Sequence, residues 1–90
     1  MHITMVKKEL RDGRPCRKCE QAMDTLMARK VWNRIDEVVI AKEGDASSPG
    51  VQLATKHGID VAPFFIVRDD AGEQVYTSVM QLIKDRLVAA

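Results

Sequence analysis

The sequence predicts an α/β domain with the element order β-α-β-α-β-β-α, built on a four-stranded mixed sheet with helices on both faces. Two observations lead to this prediction. Short runs rich in β-branched or aromatic residues alternate with segments whose apolar residues recur every three or four positions, which indicates strands alternating with amphipathic helices. The turn-type segment Asp69-Asp70-Ala71-Gly72 then separates two β-type runs that have no helix between them. At 90 residues the chain is expected to form one domain, spanning residues 1–90.

The first predicted strand covers His2–Lys8, which contains three β-branched side chains and neither glycine nor proline. A polar loop with the turn signal Asp12-Gly13 follows it. Pro15 cannot sit inside a helix or a central strand, but it suits the start of a helix. We therefore expect the first helix to begin at Cys16.

The first helix is expected to run from Cys16 to about Lys30. Its apolar residues recur at spacings of three and four, which places them on one face of an amphipathic helix. These residues are Cys19, Ala22, Met23, Leu26, Met27 and Val31. The methionines are expected to fill the core, because flexible thioether side chains commonly do so. Both cysteines of the chain fall in the first turn of this helix.

The middle of the chain predicts a strand and a second helix. The apolar run Glu37–Ala41 is typical of a strand buried on both faces, and we expect it to pair in parallel with the first strand. Ser48 is a favoured N-cap residue and directly precedes Pro49, which suits the first helical position. The second helix is therefore predicted over Pro49–His57, with Gly58 as its C-terminal stop.

The last third of the chain predicts a β-hairpin and a final helix. Pro63 can stand only at the first residue or on the edge of a strand, so the strand is expected over Phe64–Arg68. Its hairpin partner is Glu73–Thr77. The segment Ser78–Gln81 matches a capping box, and the apolar spacing beyond it predicts an amphipathic helix to Leu87.

Composition and charge argue against several classes of function. The net charge is +1 and aromatic residues make up 4%, which argues against nucleic-acid binding. No apolar run approaches the roughly 18 residues of a membrane helix, and the amino end lacks the apolar segment of a signal peptide, so we expect a cytoplasmic protein without membrane contact. Six basic and two acidic side chains fall among the first 18 residues. This basic end either steers acidic partners and anionic substrates or is simply a solvated loop.

The two cysteines of the chain are Cys16 and Cys19, and their spacing at the start of a helix is typical of a dithiol redox site. Cys16 is expected to be the attacking thiolate, because a helix N-terminus and neighbouring cations both favour ionisation. Cys19 is placed to resolve the mixed disulfide. A zinc or iron–sulfur site stays an alternative, with a second protomer or glutathione completing the ligands, although no metal is expected. A non-catalytic adaptor that docks an acidic partner is a further alternative.

The chain resembles the thioredoxin superfamily and looks most like its small glutaredoxin-type members. The resemblance is carried by the Cys16-x-x-Cys19 pair after the first strand, by the element order, and by the segment Gly58–Phe65, which looks like the family's cis-proline loop. It implies a thioredoxin-like fold and a glutaredoxin- or thioredoxin-like disulfide oxidoreductase. In such a protein Ala62 would pair with an extended substrate segment, and Pro63 would close the groove against the sulfurs.

Three cations near the cysteines, Arg14, Arg17 and Lys18, are expected to stabilise the thiolate and bind substrate. The Arg17-Lys18 pair replaces the Pro-Tyr or Gly-Pro of the resembled branches and should favour the reduced form, which makes the couple more oxidising. The segment Tyr76–Val79 replaces the glycine-rich turn that helps hold glutathione in glutaredoxins. No cofactor is expected, and glutathione stays open as an electron donor. The chain is expected to be a monomer, and its expected partners are a disulfide-containing protein or small molecule and a reductase system.

Overall fold

The computed structural model of the chain describes residues 1–87, so the last three residues of the predicted domain, 88–90, lie outside the described part. The element order agrees with the prediction. The strands are β1 (His2–Glu9), β2 (Glu37–Lys42), β3 (Phe64–Asp69) and β4 (Gly72–Tyr76). The helices are α1 (Arg17–Ala28), α2 (Pro49–His57) and α3 (Val79–Leu82), with a 3-10 turn at Trp32–Arg34 and a π-helical turn at Ile83–Leu87.

The four strands form one mixed sheet in the order β2-β1-β3-β4. β1 pairs in parallel with β2, and Val6 lies opposite Val39. On its other side β1 pairs antiparallel with β3, and β3 forms an antiparallel hairpin with β4. The parallel pairing of this strand, the hairpin and the mixed character of the sheet are confirmed. The expectation that β2 is buried on both faces is wrong, because β2 lies at the edge of the sheet and Val38 is 40% exposed.

Alternation along the strands sends apolar side chains into a separate core layer on each face of the sheet. The layer under α1 and α3 contains Ile3, Met5, Ala22, Leu26, Phe65, Val67, Tyr76, Leu82, Ile83 and Leu87. The layer under α2 contains Val6, Phe64 and Ile66, with Val39, Ala41, Leu53, Ala54, Ile59 and Val75 packed against it. The prediction of helices on both faces is confirmed.

The limits of α1 differ from the expected ones at both ends. Cys16 is the N-cap residue, with extended backbone angles, and the helix itself begins at Arg17. The helix ends at Ala28, ahead of the expected Lys30, because Lys30 takes a left-handed conformation with φ of 61°. Met27 is 49% exposed rather than buried. It lies eight residues after Cys19, about 80° around the helix from the buried stripe.

The second helix has the predicted bounds, and Gly58 ends it in a left-handed conformation with φ of 66°. Ser48 stands at the N-cap, but its hydroxyl accepts a hydrogen bond from the Lys42 amide at 3.0 Å instead of capping the helix. This contact ties the start of α2 to the end of β2. Gly50, on the first turn of α2, packs directly against the β2 backbone.

The C-terminal segment begins as predicted but continues differently. The Ser78 hydroxyl accepts a hydrogen bond from the Gln81 amide at 3.2 Å, which caps α3. The Gln81 side chain bonds to Asp85 at 2.8 Å, so the second half of the expected capping box does not form. After Leu82 the chain widens into the π-helical turn. Within residues 1–87, no helix combines the length and apolar character needed to cross a bilayer.

Gly50→Ala is expected to lower the free energy of unfolding by about 1–3 kcal/mol, the usual cost of overpacking. A Cβ at this position would collide with the Ala41 backbone nitrogen and the Ile40 carbonyl carbon, neither of which can rotate away. Urea unfolding followed by circular dichroism measures the change. Gln52→Ala, at an exposed position of the same helix, should change stability by less than about 0.5 kcal/mol. Equal stability of the two variants would show that α2 does not pack this closely on β2.

Candidate active site: the Cys16–Cys19 dithiol

The candidate site is built on the carboxyl end of β1, where Lys8 has no strand partner on the β3 side. β3 begins at Phe64, opposite Val6, and so does not extend along Lys8. The Lys8 carbonyl accepts a hydrogen bond from the Cys16 amide at 3.2 Å. The Lys8 amide donates one to the Cys19 sulfur at 3.3 Å. One strand residue therefore holds both cysteines, and the start of α1, against the sheet.

The two thiols differ in their access to solvent. Both cysteines are free rather than joined in a disulfide. Cys19 is 1% exposed. Cys16 is partly exposed at the N-cap of α1. A macromolecule in solution can therefore reach Cys16 but not Cys19.

The pKa of the Cys16 thiol is held below its ordinary value. Partial burial is the largest single influence and raises the pKa, but four other interactions together outweigh it. They come from the Cys19 thiol, the backbone amides of Cys19 and Lys18, and the charge of Lys8. The side chain makes no well-aligned cap hydrogen bond, so the amides act mainly as dipoles at a helix N-terminus. The site therefore favours the Cys16 thiolate.

The pKa of the Cys19 thiol moves in the opposite direction. Burial is the largest cause, and the hydrogen bond to Cys16 and the charge of that residue act in the same direction. The Lys8 amide and the charge of Lys7 partly offset these effects, and the net result raises the pKa of Cys19 to about 12. Cys19 is therefore a protonated thiol at neutral pH. The pair combines an accessible, readily ionised sulfur with a buried, protonated one.

The Ala62–Pro63 loop lies beside the start of α1. The peptide bond between these residues is cis, as the family resemblance implied. Pro63 lines a groove of about 270 Å³ together with Lys18 and Gln21 of α1. Ala62 lines a separate cleft of about 180 Å³ that reaches Lys8. The structure thus brings both loop residues next to the elements that carry the dithiol.

The three predicted cations occupy different settings. Arg17 and Lys18 are exposed on the first turn of α1, between the cysteines. Arg14 is also exposed, but its Nε lies 2.6 Å from Asp12 Oδ2 within the same loop. The Arg14 charge is therefore partly neutralised, whereas Lys18 shares a groove with Pro63.

Two site residues were not singled out by the sequence analysis. Lys8 was counted only as part of the basic amino end, although its backbone contacts both cysteines. Glu43, just after β2, pairs with Lys8 through a distance of 3.0 Å between Nζ and Oε2. Parallel strands bring their carboxyl ends to one edge of a sheet, so the predicted pairing of β1 with β2 already contained a signal for this contact.

Metal binding would be a second use of the two cysteines. Across the part of the chain that the structure describes, no three histidine, cysteine, aspartate or glutamate side chains come together in a group that could hold a metal ion. A metal or cluster bound at Cys16 and Cys19 would thus need ligands from outside residues 1–87.

Comparisons of this chain with protein-family models, with curated proteins and with solved structures found no match. The chemistry of the site is therefore inferred from the geometry of its own residues.

Iodoacetamide should modify Cys16 selectively near pH 7. The rate of Cys16 alkylation should rise with pH, and the midpoint of this rise should lie at a lower pH than for an ordinary cysteine. The reason is that the thiolate is the reactive form and its fraction grows as the pH approaches the lowered pKa. Cys19 should stay unmodified across this range, since it is buried and protonated. Peptide mass spectrometry of the timed reaction distinguishes the two sites. Equal labelling of both thiols in the folded protein would contradict the described asymmetry.

Proposed function

We propose that this chain is a thiol–disulfide oxidoreductase that uses the Cys16–Cys19 dithiol to reduce or exchange disulfides. The observation that carries the proposal is the unequal pair on one helix turn: an accessible sulfur at the α1 N-cap and a buried sulfur, both held by Lys8. A nucleophile and a resolving thiol need this difference in access. We further propose that the α/β domain is of thioredoxin-like type, which is supported by the element order and by the loop beside the dithiol.

In the first step the Cys16 thiolate attacks one sulfur of a substrate disulfide. A new sulfur–sulfur bond forms, the substrate bond breaks, and the leaving thiolate takes a proton from solvent. In the second step Cys19 loses its proton and attacks the Cys16 sulfur, which releases the second substrate thiol. Two electrons have then passed to the substrate, and the protein holds an intramolecular disulfide that a reductase system or glutathione must reduce.

The first step should change the pKa of Cys19 in the direction that the second step needs. Part of what raises the pKa of Cys19 is the hydrogen bond to Cys16 and the charge of that residue. Once Cys16 is bound to substrate, its sulfur carries no negative charge. The pKa of Cys19 should then fall, so that the resolving thiol ionises when the mixed disulfide is present and not before.

Substrate binding is proposed to involve the Ala62–Pro63 loop and the cations between the cysteines. An extended substrate segment could pair with the Ala62 backbone, a short case of β-strand addition. Arg17 and Lys18 are exposed beside Cys16 and would favour substrates with acidic groups near the disulfide. Lys18 and Pro63 line the same groove, which gives such a segment a place to lie.

Exchange of each cysteine for serine separates the two roles. Cys16→Ser should abolish insulin-disulfide reduction, because the attacking sulfur is lost. Cys19→Ser should stop turnover but accumulate a mixed disulfide at Cys16, because no resolving thiol remains. Activity is followed by the turbidity of reduced insulin, and the adduct by intact-protein mass spectrometry that is repeated after addition of dithiothreitol.

The two variants serve as controls for each other, since each removes one thiol. Cys16→Ser should form no adduct under the same conditions. An adduct on Cys19 in that variant, or full insulin reduction by either variant, would contradict the assigned roles.

The double change Arg17→Gln and Lys18→Gln should slow reaction with glutathione disulfide, which carries net negative charge, by about three- to tenfold at low ionic strength. Reaction with the neutral hydroxyethyl disulfide should change less. The difference between the effects on the two disulfides should shrink above about 0.15 M salt, where exposed charges are screened. Stopped-flow measurement of the oxidation rate with each disulfide gives the ratio of the two rates.

The matched control is Arg29→Gln with Lys56→Gln, which removes two exposed charges from the far ends of α1 and α2. It should leave the ratio between the two disulfides unchanged. An equal loss in both double variants would mean that net charge, and not the position of the cations, sets the rate.

A further inference from the structure

The carboxylate of Glu43 lies at the same edge of the sheet as the dithiol because β1 and β2 run in parallel. Glu9 lies opposite Lys42 in the strand register. The Glu43 amide donates a hydrogen bond to the Glu9 carbonyl at 2.8 Å. The backbone therefore fixes Glu43 one residue beyond the paired strands, level with the end of β1.

Two close donors, from Lys8 and Arg11, and a more distant guanidinium charge hold the Glu43 carboxylate. The Lys8 Nζ lies 3.0 Å from Oε2. The Arg11 amide lies 3.4 Å from Oε1, and the Arg11 Nε lies 3.9 Å from the same oxygen. The hydrogen bond with Lys8 and then that with the Arg11 amide hold the pKa of Glu43 below its usual range. Glu43 is therefore an anion at neutral pH, and it faces the one lysine whose backbone holds both cysteines.

The Lys8 ammonium is held by Glu43, and its charge acts on Cys16 more weakly than the hydrogen bonds at that sulfur do. Its charge favours the Cys16 thiolate, while its nitrogen is in contact with Glu43. The Lys8 backbone is fixed by hydrogen bonds to both cysteines, so the ammonium moves only as far as its side chain allows. Lys8, Glu43 and Ala62 also line one cleft, which places this ion pair beside the predicted substrate loop.

We propose that Glu43 is a positioning residue for the redox couple, which holds the Lys8 ammonium in an ion pair and so keeps the couple more reducing than Lys8 alone would make it. The inference rests on the proposed function. When glutathione disulfide oxidises the protein, the Cys16 thiolate and the Cys19 thiol form one sulfur–sulfur bond, and two glutathione thiols are released with uptake of one proton. The protein loses its negative sulfur charge in this reaction. A free cation nearby opposes that loss, and a cation paired with Glu43 opposes it less.

Other charged groups also lie near the dithiol, among them the exposed Arg17 and Lys18 between the two cysteines. Lys7 acts on Cys19. Arg11 is paired with Glu43 itself. Asp60 lines the same cleft as Lys8 and adds negative charge there. The test must therefore change Glu43 and Lys8 singly and together.

The experiment equilibrates the protein and its variants with glutathione redox buffers at pH 7 and counts oxidised protein after acid quenching and alkylation. Glu43→Gln should lower the equilibrium constant for oxidation by about three- to tenfold, where tenfold corresponds to about 30 mV. Lys8→Met should shift the constant in the opposite direction. In the Lys8→Met background the effect of Glu43→Gln should fall to less than half, because the ion pair through which it acts is gone.

The matched control is Asp45→Asn, which removes a carboxylate from the same loop. Asp45 accepts its hydrogen bonds from Ser47, at 2.6 Å from the hydroxyl, and does not contact Lys8. This variant should leave the equilibrium constant unchanged. A purely structural role for Glu43 would change thermal stability and would not make Glu43→Gln and Lys8→Met shift the constant in opposite directions.

Three results would overturn the inference: an unchanged constant in Glu43→Gln, a shift in the same direction as Lys8→Met, or an equal shift in Asp45→Asn. If Glu43→Gln does not fold, Glu43→Asp takes its place, because the shorter side chain draws the carboxylate away from Lys8. It should shift the constant in the direction expected for Glu43→Gln, and an unchanged constant there also overturns the inference. Failure of the wild-type protein to form a Cys16–Cys19 disulfide is a separate outcome. It would overturn the proposed function and with it the effect of Glu43 on the potential.

Discussion

The backbone of Lys8 is the point on which the arrangement of the site depends. β3 stops short of this residue, so the Lys8 amide and carbonyl need other partners, and an unpaired backbone group shielded from water is costly. The Cys16 amide donates a hydrogen bond to the Lys8 carbonyl at 3.2 Å, and the Cys19 sulfur accepts one from the Lys8 amide at 3.3 Å. The sheet thereby fixes the start of α1, leaves Cys16 at the surface and buries Cys19. The last β1 residue paired with β3 is Val6, three residues before the end of β1, and the unpaired end of β1 creates the place for a dithiol.

The electrostatics of the site follow from this placement. Cys16 meets the N-terminal end of a helix and the charge of Lys8, both of which favour a thiolate, while Cys19 is surrounded by apolar core and stays protonated. Because each sulfur influences the other, reaction at Cys16 changes the acidity of Cys19. In its proposed role Glu43 adds a second level of control, because it holds the Lys8 ammonium, whose charge favours the thiolate. The ionisation of the two thiols thus depends on a small number of charged groups, most of them near the carboxyl ends of β1 and β2.

Much of the fold could be predicted from the sequence because its signals are local. Ser48, Pro49 and Gly58 mark the bounds of α2 where the structure has them, and the element order predicts helices on both faces of the sheet. The end of α1 could not be predicted in this way, because nothing in the spacing of apolar residues marks the left-handed conformation of Lys30. The pairing of Lys8 with Glu43 depends on strand register, which only the assembled sheet defines. The pairing of Arg14 with Asp12 is local, but the order of residues in an irregular loop does not define which side chains meet.

The most direct test of the central claim is a redox titration of the unmodified protein between about −330 and −120 mV, a span that covers reductants and strong oxidants of this chemistry. Tryptic mapping after alkylation identifies the disulfide formed at each potential. We predict a single two-electron transition in which a monomer acquires an intramolecular Cys16–Cys19 disulfide. A protein that keeps both thiols at every potential, or that oxidises only to disulfide-linked dimers, would contradict the claim that these two cysteines form a redox couple.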